Sequence, residues 1–136
     1  MNVDIRDNSP RALRLMLRAI DEGVRDAARV ASELATDSMP GAGAMTTVTK
    51  TGRRVYQPST RGNPPGERTG LLKGSMGFER IRLGQWRYGA SARYALYNEL
   101  GGRPFLFPVV RKKANRLEAA FARTAAARMQ RRTGAR

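Results

Sequence analysis

The chain has 136 residues, enough for one domain with its own core, and contains neither cysteine nor histidine. Those absences exclude disulfides and thiolate chemistry and remove the commonest general base and metal ligand, and with them most mechanisms open to a small enzyme. The net charge of +15, from 26 basic and 11 acidic residues, implies a polyanionic neighbour: nucleic acid, an acidic protein surface or anionic lipid.

The charge is unevenly spread. Residues 1–37 carry six arginines against seven acids, residues 38–102 ten basic residues against three acids, and residues 103–136 ten basic residues against Glu118 alone. The opening Met1-Asn2-Val3-Asp4-Ile5 lacks the basic-then-apolar layout of a signal peptide, and no apolar run approaches the roughly 20 residues of a membrane span. The expectation is a chain made in a cytoplasm, with no membrane partner.

Ser9 before Pro10 reads as a cap followed by proline at the first helical position. Leu13, Met16, Leu17, Ile20, Val24, Ala27, Ala28, Ala31 and Leu34 then recur at three- and four-residue steps, and Met39-Pro40-Gly41 ends the pattern. This predicts an amphipathic helix over residues 10–37. Two β-branched runs, residues 46–50 and 54–57, flank Thr51-Gly52-Arg53 and predict a hairpin with few core side chains, which would project as an arm. Residues 58–68 hold three prolines and two glycines, which predicts an extended or mobile loop. Residues 41–68 together read as arm and loop.

Thr69 is placed to cap a short helix over residues 70–75. Strand-like runs follow at 78–83 and 85–89, joined at Gly84; Phe78, Ile81 and Leu83 alternate with Glu79, Arg80 and Arg82, though short of period two. Residues 92–100 read as a short helix or turn closed by Gly101-Gly102. Pro108 opens a last helix whose apolar stripe is Val110, Ala114, Leu117, Phe121, Thr124 and Ala125 and whose other faces are basic. Residues 1–9 and 130–136 are expected to be flexible. The fold class is α+β: one domain with long N- and C-terminal helices packed on a small, mostly antiparallel sheet.

Three segments carry a resemblance. Asn63-Pro64-Pro65-Gly66-Glu67-Arg68-Thr69-Gly70-Leu71-Leu72, then Ser91-Ala92-Arg93-Tyr94-Ala95-Leu96-Tyr97-Asn98-Glu99-Leu100-Gly101, then Arg103-Pro104-Phe105-Leu106-Phe107-Pro108 resemble, in order and spacing, the small tail-completion or head–tail joining proteins of long-tailed bacteriophages. This chain has Leu100 and a double glycine where that pattern has an aromatic residue and Gly-Thr.

The resemblance implies a non-catalytic virion protein, assembled in the host bacterial cytoplasm and located in the virion neck. It implies a homo-oligomeric ring, sixfold or a multiple of six, joining the connector on the portal side to the tail terminator or tube. Ring closure needs heterologous contacts, and projecting or loosely held segments can order on a neighbour. Candidate subunit or partner contacts are Arg68, Thr69, Gly70, Tyr94, Glu99, Arg103 and Phe105. Glu99 would partner an arginine, fixing the Tyr94 turn or binding a neighbouring subunit.

Other readings compete at these positions. Arg68-Thr69-Gly70 also reads as a helix cap, Glu99 as a solvated acid, and Tyr94, Tyr97, Phe105 and Phe107 as core. Trp86, between Gln85 and Arg87, reads as sheet-face packing or as a platform for a base. Arg111, Lys112, Lys113, Arg116, Arg123, Arg128, Arg131 and Arg132 form a basic face for an acidic partner or for DNA passing through the ring's lumen. Gly62, Gly66 and Gly70 lack the spacing and following Lys-Ser/Thr of a phosphate loop. No catalytic, cofactor-binding or metal-ligating set is expected. The alternative class is a small basic nucleic-acid-binding protein, resting on charge, Trp86 and the tyrosines.

Overall fold

The computed structural model describes residues 9–40, 46–56, 59–66 and 69–133. The fold is α+β with long terminal helices, as the hydrophobic periodicity predicts. Helix α1 (Ser9–Ser38) runs one residue past the expected span at each end. A hairpin of β1 (Thr46–Val48) and β2 (Arg54–Tyr56) follows, with Thr47 opposite Val55. Its turn is closed by Gly52 N–H donating to Thr49 O at 2.8 Å. Val48 and Val55 are both exposed, so the expected arm adds nothing to the core.

Next come α2 (Leu71–Gly74), an antiparallel pair of β3 (Met76–Arg82) and β4 (Gln85–Ala90), the short helix α3 (Ala95–Leu100) and the long helix α4 (Phe107–Thr133). The two hairpins are separate two-stranded sheets, the small antiparallel sheet β3–β4 and the hairpin arm β1–β2, as expected. Helix α4 includes residues 130–133, which were expected to be flexible.

Helices α1 and α4 lie antiparallel, because their partners run in opposite order. Ala31 and Ala35 pack with Val109, Asp26 meets Arg123 and Thr124, and Glu22 meets Arg128. Small residues let them approach closely. A Cβ on Gly23 would fall 2.7 Å from the Phe121 ring and 3.0 Å from the Phe121 carbonyl oxygen. On another flank, Asp21 ties α1 to the β3–β4 turn, accepting from Gly84 N–H at 2.7 Å and Trp86 Nε1–H at 3.0 Å and pairing with Arg80 at 3.3 Å. Burial pushes the Asp21 carboxyl up, but these donors and the Arg80 charge outweigh it and hold the carboxyl below its usual value.

The stripe expected on α4 holds from Leu117 onward and fails before it. Val110 and Ala114 are exposed, while Val109 and Ala120 are buried and Leu117, Phe121, Thr124 and Ala125 half-buried. The reason is a break at Lys113 (φ −124°, ψ 17°), which resets the helical phase between the first turn and a half and the remainder. Phe78, Ile81 and Leu83 are likewise exposed. A sheet two strands wide, bulged between Arg80 and Arg82, offers α1 too little area to cover them.

The core is small. Met39, Leu72, Ala95 and Phe105 form one cluster, and Ala31, Ala35 and Val109 another. Phe105 is the one large side chain fully enclosed among the described residues.

Candidate functional site

Glu99 organises the surface where the three resembling segments meet. One carboxylate oxygen accepts from Phe105 N–H at 2.8 Å and Leu106 N–H at 3.0 Å; the other accepts from Phe107 N–H at 2.8 Å. A carboxylate there satisfies amides leading into α4 and sits favourably at the positive end of the helix dipole. The turn so held drives Phe105 into the core. Two expectations are thereby corrected: Glu99 is engaged by its own backbone and not by an arginine, and Phe105, at 0% exposure, is not a surface contact. The signal for this role was readable in outline, as an acid a few residues before a Pro-Phe entry to a helix. Tyr88 reinforces the turn by donating its hydroxyl to Leu106 O at 2.7 Å. Burial first, and the Glu99 charge second, push its phenol up to about 12.

Of the extended or mobile loop that was expected, the described part is docked and not mobile. Gly62 N–H donates to Gly102 O at 2.6 Å, and Arg103 Nε–H donates to Ser59 O at 3.0 Å. Gly102 has φ +89°, and a Cβ there would also collide with the Arg61 side chain. A Cβ on Gly101 would run into the Tyr97 carbonyl. Of the two glycines only Gly102 meets the docked loop, while Gly101 meets the end of α3.

Between that loop and helices α2 and α3 lies a cavity of about 290 Å³. The first resembling segment contributes Pro65, Gly66, Thr69, Gly70 and Leu72, the second Tyr94 and Asn98, and the third Arg103; Met39, Ser59 and Lys73 complete the wall. The structure thus brings together Thr69, Gly70, Tyr94 and Arg103 of the candidate contacts, while Arg68 lies outside the described residues. Thr69 is not the cap residue. Gly70, at φ 74°, takes that position, and Thr69 Oγ1 lies 3.4 Å from Leu71 N. Ser59, which the sequence did not single out, is buried and its hydroxyl has no hydrogen-bond partner.

Beside the cavity, α3 turns apolar side chains outward. Tyr97 is 80% exposed, Leu100 76% and Leu96 66%, and Phe107 at the start of α4 is 61% exposed. Tyr94 is also exposed, so of the four aromatic side chains read as core only Phe105 is enclosed. Amino-acid type could not reveal this, because the same residues fill cores elsewhere.

The basic face divides. Arg123 reaches Asp26 at 3.4 Å and Arg128 reaches Glu22 at 3.2 Å, so both join α4 to α1. Arg111 lies over the Phe107 ring at 5.7 Å. Lys112, Lys113, Arg116 and Arg131 are exposed and meet no acid among the described residues, and the Arg132 side chain lies outside them. Trp86 is not a free stacking platform: its N–H is taken by Asp21, and its ring packs tilted against Phe78 at 6.2 Å.

Among the described residues no three Asp, Glu, His or Cys side chains group as a metal site, and no helix is long and apolar enough to cross a membrane. Compared with known proteins, the chain matches no family model, no curated protein and no solved structure.

Proposed function

We propose that the protein is a non-catalytic structural subunit of the neck of a long-tailed bacteriophage, forming a ring that joins the DNA-filled head to the tail. Its partners are copies of itself, the connector above and the tail terminator or tube below. One observation carries the reading: most of the large apolar side chains lie outside, and most of the buried ones are small. Seventeen large hydrophobic residues are exposed among the described ones, whereas six of the ten buried hydrophobic residues are alanines. Such a surface suits a subunit that completes its burial on neighbours.

The placement of the exposed residues supports a heterologous contact. Leu13, Met16, Leu17 and Ile20 sit on the part of α1 that continues past Glu22, where α4 has only five residues left beyond Arg128. Leu96, Tyr97, Leu100 and Phe107 lie near the opposite end of the helix pair, where Val109 packs on Ala35. Two unlike apolar ends can join head to tail and close a ring. The resemblance of the three cavity-forming segments to joining proteins supplies the place in the virion. Electron microscopy of a lysate from the parent phage with this gene interrupted tests it. Filled heads and finished tails lying apart are expected; intact infectious virions would falsify the proposal.

A second reading, a small basic nucleic-acid-binding protein, is favoured by Lys112, Lys113, Arg116 and Arg131, which meet no acid among the described residues. It predicts DNA binding by the isolated chain that weakens steeply with salt, and binding that is weak at all salt concentrations would remove it.

A further inference from the structure

Helix α1 carries its terminal charges in the reverse of the order its dipole favours. A helix is partly positive at its N-terminal end and partly negative at its C-terminal end, so acids stabilise the first turn and bases the last. In α1 the first turn has no acid and the last turn no base. Arg11, Arg14 and Arg18 precede its first acid, Asp21, and Asp37 stands in the last turn. All three arginines and Asp37 are exposed, and none makes an ion pair among the described residues. The middle of the helix, by contrast, is matched: Glu22 with Arg128, Asp26 with Arg123 and Arg29 with Glu33.

The three arginines and Leu15 line a cleft of about 80 Å³, room for a single small side chain. They share their end of the molecule with the exposed Leu13, Met16, Leu17 and Ile20. Asp37 belongs to the other end. It lies between Ala35, which packs with Val109, and Met39, which packs with Ala95 and Phe105. At the rise of an α-helix, Arg14 and Asp37 are about 35 Å apart and cannot meet within one chain.

We propose that Asp37 of one copy enters the arginine cleft of the next, between Arg11, Arg14 and Arg18. The proposal rests on the head-to-tail contact described above and names its polar part. The occupant is a second copy because one helix leaves charges of opposite sign unmatched at its two ends, and a single repeated contact satisfies both. Glu118 is also exposed and unpaired among the described residues, but it sits about two and a half turns past Val109 on α4, away from this end. Apolar contact alone leaves one copy free to rotate on the next. An acid seated among three arginines fixes that rotation, and the rotation decides whether a ring closes.

The test is sedimentation velocity of the full chain over a concentration series at low salt, with circular dichroism to establish that each variant folds. Asp37→Arg is expected to weaken self-association on the order of tenfold, and Arg11→Asp with Arg14→Asp to do the same. All three substitutions in one chain restore opposite signs and are expected to recover most of the association. Asp37→Arg is also expected to raise the Tm of the dissociated chain, since a base replaces an acid in the last turn of α1. A residue serving only the fold would not stabilise the monomer while weakening the assembly. Glu118→Arg changes the net charge equally and is expected to leave association unaltered.

Unaltered association in Asp37→Arg, equal weakening in Glu118→Arg, or no recovery in the combined variant would each overturn the pairing. So would an arginine variant that fails to restore joining to the interrupted phage while Asp37→Arg restores it, because the cleft would then hold a different acidic partner. Loss of association on replacing Leu96, Tyr97 and Leu100, with none in Asp37→Arg, rejects the pairing and leaves the apolar contact standing. A parent chain that is monomeric at every concentration overturns the pairing as well. The neck assignment is scored separately, by microscopy of the interrupted phage.

Discussion

Glu99 and Asp21 each tie together parts of the chain distant in sequence, and both do so as carboxylates receiving backbone N–H groups. Removing Glu99 leaves three amides at the entry to α4 to find other acceptors. Glu99→Ala is expected to cost on the order of 2–3 kcal/mol, measured by urea denaturation, with Phe105 loosened from its cluster. A loss below about half a kcal/mol would mean that water replaces the carboxylate freely. Acid acts on Asp21 and Asp26. Burial raises each carboxyl, but hydrogen bonds and arginines outweigh it and leave both below the usual 3.8 in the folded chain. As pH falls, the unfolded chain therefore takes up protons first. Their stabilisation is complete above about pH 4 and is lost as pH drops through the lower folded values. A Tm series between pH 6 and pH 2 should show this decline, and Asp21→Asn should make it shallower.

At the scale of elements, the α1–α4 contact depends on what is missing from Gly23. Gly23→Ala would gain about 1 kcal/mol of helix propensity, yet its Cβ would press on both the Phe121 ring and its backbone. The expected net change is a loss of roughly 1 kcal/mol, and a larger one for Gly23→Val. A stabilised alanine variant would show that the helices can move apart without cost. The terminal helices, both hairpins and the short α3 were legible in the sequence because capping, periodicity and turn chemistry act locally. The buried face at the start of α4 was not, because the break at Lys113 is a backbone event without a proline or glycine to announce it. Nor was the cavity fully legible. Thr69, Gly70, Tyr94 and Arg103 could be chosen from the resemblance, but Ser59 enters only through the docking of its loop on Gly102 and Arg103.

For the whole molecule, the decisive property is how little of its large apolar surface it covers alone. Replacing Leu96, Tyr97 and Leu100 together by serine removes exposed contacts without touching the Phe105 cluster. The triple variant is expected to stay folded with an unchanged circular dichroism spectrum. It should sediment as a smaller species than the parent chain at the same concentration, and should fail to restore joining to the interrupted phage. Sedimentation identical to the parent would place the subunit contact elsewhere.

A core in which alanines predominate also governs the lifetime of the chain in a cell. Few kilocalories separate such a monomer from its opened forms, and opened forms are what cellular proteases cut. Under the proposed neck assembly, seated copies would be shielded and surplus copies degraded, so the amount of this protein would follow the number of necks under construction and not the rate of its synthesis. Pulse-chase labelling in cells with and without the other neck proteins would measure that difference in half-life directly.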